Sequence, residues 1–406
     1  MIRVLRRGAR YLVQLCGAVV ILLLYAVKPV LWLRLGRLHS DRIGILAAGT
    51  DLFLRRRQLG DVDPRIRHLF VARPTCNRQL LEMYQRLLPI YESAALSKIY
   101  DICVPLLKHT PFYEPLAFRC DEFREFAEGR RSLSFTPEEE FRGRKLLAEM
   151  GIKDGDWFVC FHNRDGAYLT QEFPDRDWSY HDERDNSIEN LCAAVRYVVD
   201  SGGAAVRMGA VVQHPLPASF QHPRIIDYAR KHRSDFLDIY LLAKCKFMIG
   251  SDTGLAQVAT VFDVPVANTN SVYSDWAAFR PDDIFITKKV YDVNAERYLG
   301  YREALCRGVS LTGLALRDYE KSGLSLHENT AAEIKDLVLE MNERLDGVWK
   351  VEPADEDLQR RYCEMFSERD FCYGFRSRVG TRFLWENKSR IFGDGEGVMP
   401  SLQQGA

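Results

Sequence analysis

The chain has 406 residues, 47% hydrophobic and 28% charged, so it can bury a core and is long enough for two or three domains. Its 56 Lys and Arg balance 56 Asp and Glu, and a formal net charge of zero argues against a nucleic-acid binder, which needs basic surface to displace counterions. The ten cysteines are scattered without a Cys-x-x-Cys pair, which reads as small buried hydrophobes in a reducing compartment, neither a disulfide frame nor a zinc site.

The charge is uneven along the chain. Residues 1–58 hold eleven Lys and Arg against only Asp41 and Asp51, a basic end that suits an anionic cytoplasmic leaflet. A solvated surface is the plain alternative. Tyr11 to Val27 is uncharged and follows Arg3, Arg6, Arg7 and Arg10. Such a run falls short of the roughly 20 residues that span a bilayer, and no small-residue cleavage site follows it. Arg34, Arg37 and Arg42 flank its far side, so the positive-inside rule sets no orientation. The expectation is a kinked helix, broken near Pro29, that dips into one leaflet and leaves both ends cytoplasmic. The alternative is an amphipathic helix packed on the protein itself.

Next, Arg42 to Gly49 reads as a first buried strand and loop, and His68 to Ala72 as a second strand. Asn77 to Leu88 has helical periodicity, and Tyr100 to Val104 reads as a third strand. Thr136-Pro-Glu-Glu is a helix start, with Thr136 as N-cap, Pro137 at the first position and Glu139 closing a capping box. From there to about 345 short apolar strands alternate with helices, which implies a parallel sheet covered on both faces. The expected organisation is a membrane-associated helix over 1–36, a first α/β domain over 37–135 and a second over 136–345. Helices over 346–392 return to the first domain, and 393–406 is a disordered tail.

Ligands of such sheets bind beyond the carboxyl ends of the strands. One strand ends in His162-Asn163-Arg164-Asp165. Arg164 offers a planar fork for a diphosphate, His162 can orient a phosphate or take a proton, and Asp165 can hold Arg164. The alternative is that His162 and Arg164 satisfy loop carbonyls. Arg207 ends the next strand, either at the same site or paired with a surface acid. Asp235, with Ser234, starts a helix, where a capping role competes with a site role. The most informative stretch is Gly250-Ser251-Asp252-Thr253-Gly254, a turn that ends a strand and opens a helix. Its unpartnered backbone N–H groups and helix dipole attract phosphate, and glycine lets the backbone approach a ligand. Asp252 either binds a sugar hydroxyl or caps the helix. Neither Gly-x-x-x-x-Gly-Lys nor Gly-x-Gly-x-x-Gly occurs, and none of the Asp-x-Asp triplets is read as the sort that binds a metal–nucleotide, so no metal or cofactor is expected.

The Asp-Thr-Gly turn resembles that of heptosyltransferase-type glycosyltransferases. Arg42-Ile-Gly-Ile-Leu-Ala, Arg73-Pro-Thr-Cys-Asn-Arg, Phe161-His-Asn-Arg-Asp, Asn186-Ser-Ile-Glu-Asn, Val206-Arg-Met-Gly, Ser234-Asp-Phe-Leu-Asp and Arg378-Val-Gly-Thr-Arg-Phe, in this order, resemble a bacterial glycosyltransferase family associated with surface polysaccharides. His162-Asn163-Arg164 is also similar to the His-x-Arg of protein fucosyltransferases. The resemblance implies two facing Rossmann-like domains, the GT-B arrangement, with the second holding a nucleotide-sugar donor. The acceptor, a glycan or lipid-linked molecule, would sit on the first, with Asp51 or His39 as candidate base. Ser251, Asp252, Thr253, Gly254, Arg164, Arg207 and Asp235 would line the diphosphate site. Gln257 stands where heptosyltransferases usually carry His, which counts against a heptose donor. The expected location is the cytoplasmic face of a bacterial inner membrane. A non-catalytic sugar-binding or scaffold protein is the rival reading.

Overall fold

The structure is a computed structural model. It describes residues 2–116, 119, 122–164, 166, 183–212, 215–272, 276–310, 319 and 321–393, with the backbone alone over 2–10. Asp165 and the tail beyond 393 lie outside the described residues.

Helix α1 (Ile2–Val27) ends before Pro29 and turns into β1 (Trp32–Leu38). There follow α2 (Ile43–Gln58), β2 (Ile66–Ala72), α3 (Arg78–Gln85), β3 (Ile90–Glu92), α4 (Ala94–Leu107), β4 (Tyr113–Glu114) and α5 (Phe123–Glu128). The four strands form a parallel sheet in the order β3-β2-β1-β4.

Two expected strands are helices. Residues 42–49 form the start of α2, and 100–104 lie inside α4. All of Leu46 to Arg55 is buried, so α2 is enclosed on every side and its sequence shows no polar stripe to mark a helical period. The first strand is β1 instead. Arg34 and Arg37 disguise it; Arg34 pairs with Glu114 at 3.0 Å and Arg37 with Asp101.

The second unit opens with α6 (Pro137–Glu149), whose Thr136–Glu139 capping box forms as the sequence predicts. Its remaining elements are β5 (Phe158–Phe161), α7 (Cys192–Asp200), β6 (Ala204–Arg207), β7 (Ile225–Ile226), α8 (Tyr228–Lys231), α9 (Asp235–Lys244), β8 (Met248–Gly250), α10 (Gly254–Val261), β9 (Val266–Ser271) and β10 (Ile284–Thr287). A small antiparallel sheet follows, made of β11 (Lys289–Asp292), β12 (Arg297–Tyr298) and β13 (Leu324–His327) around α11 (Tyr301–Cys306). The chain continues through α12 (Ala331–Leu345), α13 (Pro353–Cys363), β14 (Arg378–Val379), α14 (Thr381–Glu386) and α15 (Lys388–Phe392).

The large sheet is parallel, in the order β7-β6-β5-β8-β9-β10-β14. The chain winds outward from β5 to β7, crosses back and winds the other way from β8. Such a doubly wound sheet opens a crevice where the direction switches, here between β5 and β8. Strand β14 pairs with β10, so the C-terminal segment, expected to return to the first domain, edges the second sheet. Tyr362, Val379, Phe383 and Leu384 fix it there by burial in one core with Phe285 and Ile334. It meets the first unit through the Arg376–Glu128 ion pair at 2.9 Å.

Helix α2 joins the two units. Leu46, Ala47 and Leu54 belong to a core that runs from Phe70 of the first sheet to Cys160, Val258 and Ala259 of the second unit. Ala48 and Leu52 face a second core with Phe126, Phe161 and Phe279. Arg55, fully buried, bonds Asp51 (2.5 Å), the Gly129 carbonyl (2.8 Å) and Asp263 of the second unit (2.8 Å). Among the described residues no helix is long and apolar enough to cross a membrane.

Candidate functional site

The crevice between β5 and β8 receives the residues that follow those strands, His162 to Arg164 and Ser251 to Thr253. The His162 Nδ1 atom lies 3.0 Å from the Met208 carbonyl, so Nδ1 carries the proton of the neutral ring. Arg164 Nη1 donates to Asp185 at 2.6 Å. Asn186 Nδ2 donates to Ser251 Oγ at 3.1 Å, and the Arg184 guanidinium donates to the Asp252 carbonyl. Asn268 Nδ2 donates to Asp252 Oδ1 at 2.9 Å. Burial raises the Asp252 pKa against the opposing pull of Arg184 and Asn268. Lys288, just past β10, donates to the Asp185 carbonyl at 2.7 Å, and burial lowers its pKa against Glu328 and Asp185. The crevice thus gathers Arg164, Arg184 and Lys288 from three separate segments.

At the rim two helices of different units meet amino end to amino end. A Cβ on Gly44, in the first turn of α2, would lie 2.6 Å from Gly254 Cα, and one on Gly254 would lie 2.9 Å from Gly44 N. Only glycine at both positions allows this approach. Neither helix has a side-chain cap: Arg42 and Thr253 stand at the N-cap positions without a capping bond. Thr253 is 8% exposed, yet its Oγ1 has no hydrogen-bond partner. One turn on, the buried Gln257 Oε1 is likewise unbonded, and Gln257 Cγ lies 3.5 Å from the Cβ position of Gly44. Two positive helix ends and two unbonded side-chain oxygens therefore lie within one turn of each other, and the helix ends have the electrostatics of an anion site.

A second meeting of helix ends shows the contrast. The amino end of α3 meets that of α9, and here the protein supplies its own anion. Asp235 Oδ2 accepts from Arg78 N–H at 2.7 Å, and Asn77 and Ser234 cap the two helices. Asp235 is thereby committed to joining the units rather than to the donor site expected of it.

Two further expectations are revised. Asp51, a candidate base, is completely buried in α2 against Arg55 and cannot reach an acceptor. Arg207 is sealed at 2% exposure, 3.7 Å from Asp227, in the manner of the ion-pair alternative. His39 is exposed at the carboxyl end of β1, and partial burial together with Arg37 lowers its pKa below the ordinary 6.5. The sequence reading passed over Arg184, Asp185, Asn268 and Lys288. Lys288 had a usable signal, since it follows an apolar strand just as Arg164 does. Among the described residues no group of three or more His, Cys, Asp or Glu side chains gathers as a metal site.

No family model matches the chain, and no curated protein matches it. Solved structures of similar shape include a family 9 glycosyl transferase from Veillonella parvula, at 11% identity over 77% of this chain and 96% of that one, with a TM-score of 0.43. The E. coli ADP-heptose LPS heptosyltransferase II is similar at 13% identity over 58% of this chain and 84% of that one, with a TM-score of 0.38. The dodecameric iron-containing heptosyltransferase TibC, solved with ADP-D-beta-D-heptose, is similar at 13% identity over 78% of each chain, with a TM-score of 0.39.

Proposed function

We propose that this chain is a glycosyltransferase that moves a sugar from a nucleoside-diphosphate donor to a glycan or lipid-linked acceptor, in bacterial surface-polysaccharide assembly at the cytoplasmic face of the inner membrane. The observation that carries the reading is the uncapped pair of helix ends at Gly44 and Gly254, with the unbonded Thr253 hydroxyl at the N-cap of one of them, beside the cations of the sheet crevice. A diphosphate needs convergent N–H donors and positive charge that increase their hold as the leaving group gains charge. The N–H groups at the start of α10 and the Thr253 hydroxyl supply donors; Arg164, Arg184 and Lys288 supply charge. Gln257 Oε1 is placed to accept a bond from a sugar hydroxyl. If the reaction inverts, His39 replaces Asp51 as candidate base, because it is exposed and its lowered pKa keeps it neutral near pH 7; a retaining enzyme needs neither.

A thermal-shift panel of nucleotide sugars tests this. At least one donor raises the melting temperature, and Arg164→Ala lowers transfer from that donor by about a hundredfold or more. A panel without any stabilising nucleotide, or transfer that survives Arg164→Ala, would falsify the reading and leave a non-catalytic scaffold.

A further inference from the structure

Helix α1 is packed in an unusual sense. Its inward side is narrow: Gln14 Nε2 donates to the Ile102 carbonyl of α4 at 3.3 Å, and Tyr25 meets Phe112 edge-on at 4.8 Å. A Cβ on Gly17 would lie 2.6 Å from Cys103 Sγ, so a glycine there allows the close approach. The one amide side chain between Tyr11 and Val27 is thus turned inward and bonded. What faces outward is apolar: Leu12, Leu15, Leu22 and Leu23 are 60–68% exposed and Val30 is 93% exposed. This face is continued by a second helix, α4, through exposed Leu96, Ile99 and Leu106.

The charge around the face has one sign. Residues 1–40 contain no Asp or Glu. The only acid of α4, Asp101, is paired with Arg37 and Arg73. Lys98 of α4 and Lys108 just past its end are exposed, and four arginines precede Tyr11. A wide apolar face bordered by cations and free of unpaired acid fits an anionic lipid interface. Helix α1 meets α4 between Val13 and Gly17, and its uncharged segment is about 25 Å long at about 1.5 Å per residue.

We propose that α1 and α4 form one two-helix surface that inserts its apolar side into the headgroup boundary of an anionic bilayer, with Lys98 and Lys108 on the phosphates. The proposal stands apart from the transfer chemistry, since vesicle binding and nucleotide binding can each fail while the other persists.

The test is flotation of the full-length protein with phosphatidylcholine vesicles, with and without phosphatidylglycerol. The wild type floats with the anionic vesicles, and salt weakens its binding. Leu15→Glu/Leu22→Glu on α1 and Ile99→Glu/Leu106→Glu on α4 each lower binding by about tenfold or more, with unchanged melting temperatures because all four positions are exposed. The unmutated protein gives an independent readout. Cys16, Cys306 and Cys363 are exposed thiols; anionic vesicles slow the reaction of a charged maleimide with Cys16 and leave the other two unaffected. Three results overturn the proposal: no vesicle binding by the wild type, binding unaffected by the α4 pair, or Cys16 unprotected. Self-association of the chain through this face in place of vesicle binding also overturns it.

Discussion

Thr253 buries a hydroxyl that the protein leaves unbonded, and an unmet buried donor costs stability. Thr253→Val keeps the shape and removes that cost. The expected result is an unchanged or higher melting temperature with about tenfold weaker nucleoside-diphosphate binding by calorimetry, the size of one bond to a charged group. Asp263 poses the opposite case. Its φ of 61° lies in the left-handed region that favours glycine, yet its carboxylate takes Arg55 and Arg280 and accepts from Arg131 N–H at 3.1 Å. Asp263→Gly relieves the backbone but leaves the fully buried Arg55 short of a partner. The net is a loss of roughly 2–3 kcal/mol in urea unfolding; a gain in stability would show that strain dominates. At this scale the sequence was readable in placing His162, Arg164 and Ser251 to Thr253 just past the ends of apolar strands, where the structure has them. It was opaque at Arg184 and Asn268, which reach the crevice only through the winding of the sheet. Asp51 misled because an acid within an apolar run says nothing of the direction it faces.

Helix α2 carries two glycines with opposite expectations. A Cβ on Gly44 collides with Gly254, whereas one on Gly49 meets only Ile45 Cγ2, at 3.9 Å. Gly44→Ala therefore pushes the helix ends apart, costing about 1–3 kcal/mol and with it nucleotide binding. Gly49→Ala gains up to about 1 kcal/mol from helix propensity and leaves binding intact. Denaturant unfolding of the two variants beside nucleotide titration separates these outcomes. The legibility of elements divided along the same physical line. Helices with a polar side and a cap, such as α6 behind Thr136, were plain from sequence. So were short apolar strands between turns, as at β5 and β8. The α2 run was not, because burial on all sides erases the periodicity that tells helix from strand.

Across the described residues, buried carboxyls whose pKa values are raised on folding shape the response to pH. Burial raises Asp51 and Asp238 to about 6 and Asp283 to about 7, from an ordinary 3.8. In that window the folded chain binds more protons than the unfolded one. These groups' contribution is therefore full below about 4 and is lost as pH rises through 6 to 7. Melting temperatures should fall from pH 5.5 to pH 7.5 by this route, and Asp283→Asn should flatten the slope; a slope indifferent to that substitution would assign the effect elsewhere. The shared helix α2 has a different kind of consequence, for how such a protein can change. Its ten consecutive buried residues are fitted to Phe126 and Phe161 on one side and to Val258 and Ala259 on another. A chimera that joined the first 135 residues to a foreign second half would set that helix against a surface that never met it. The halves of this chain are therefore not interchangeable parts, and such a chimera is expected to unfold at a lower denaturant concentration than the parent.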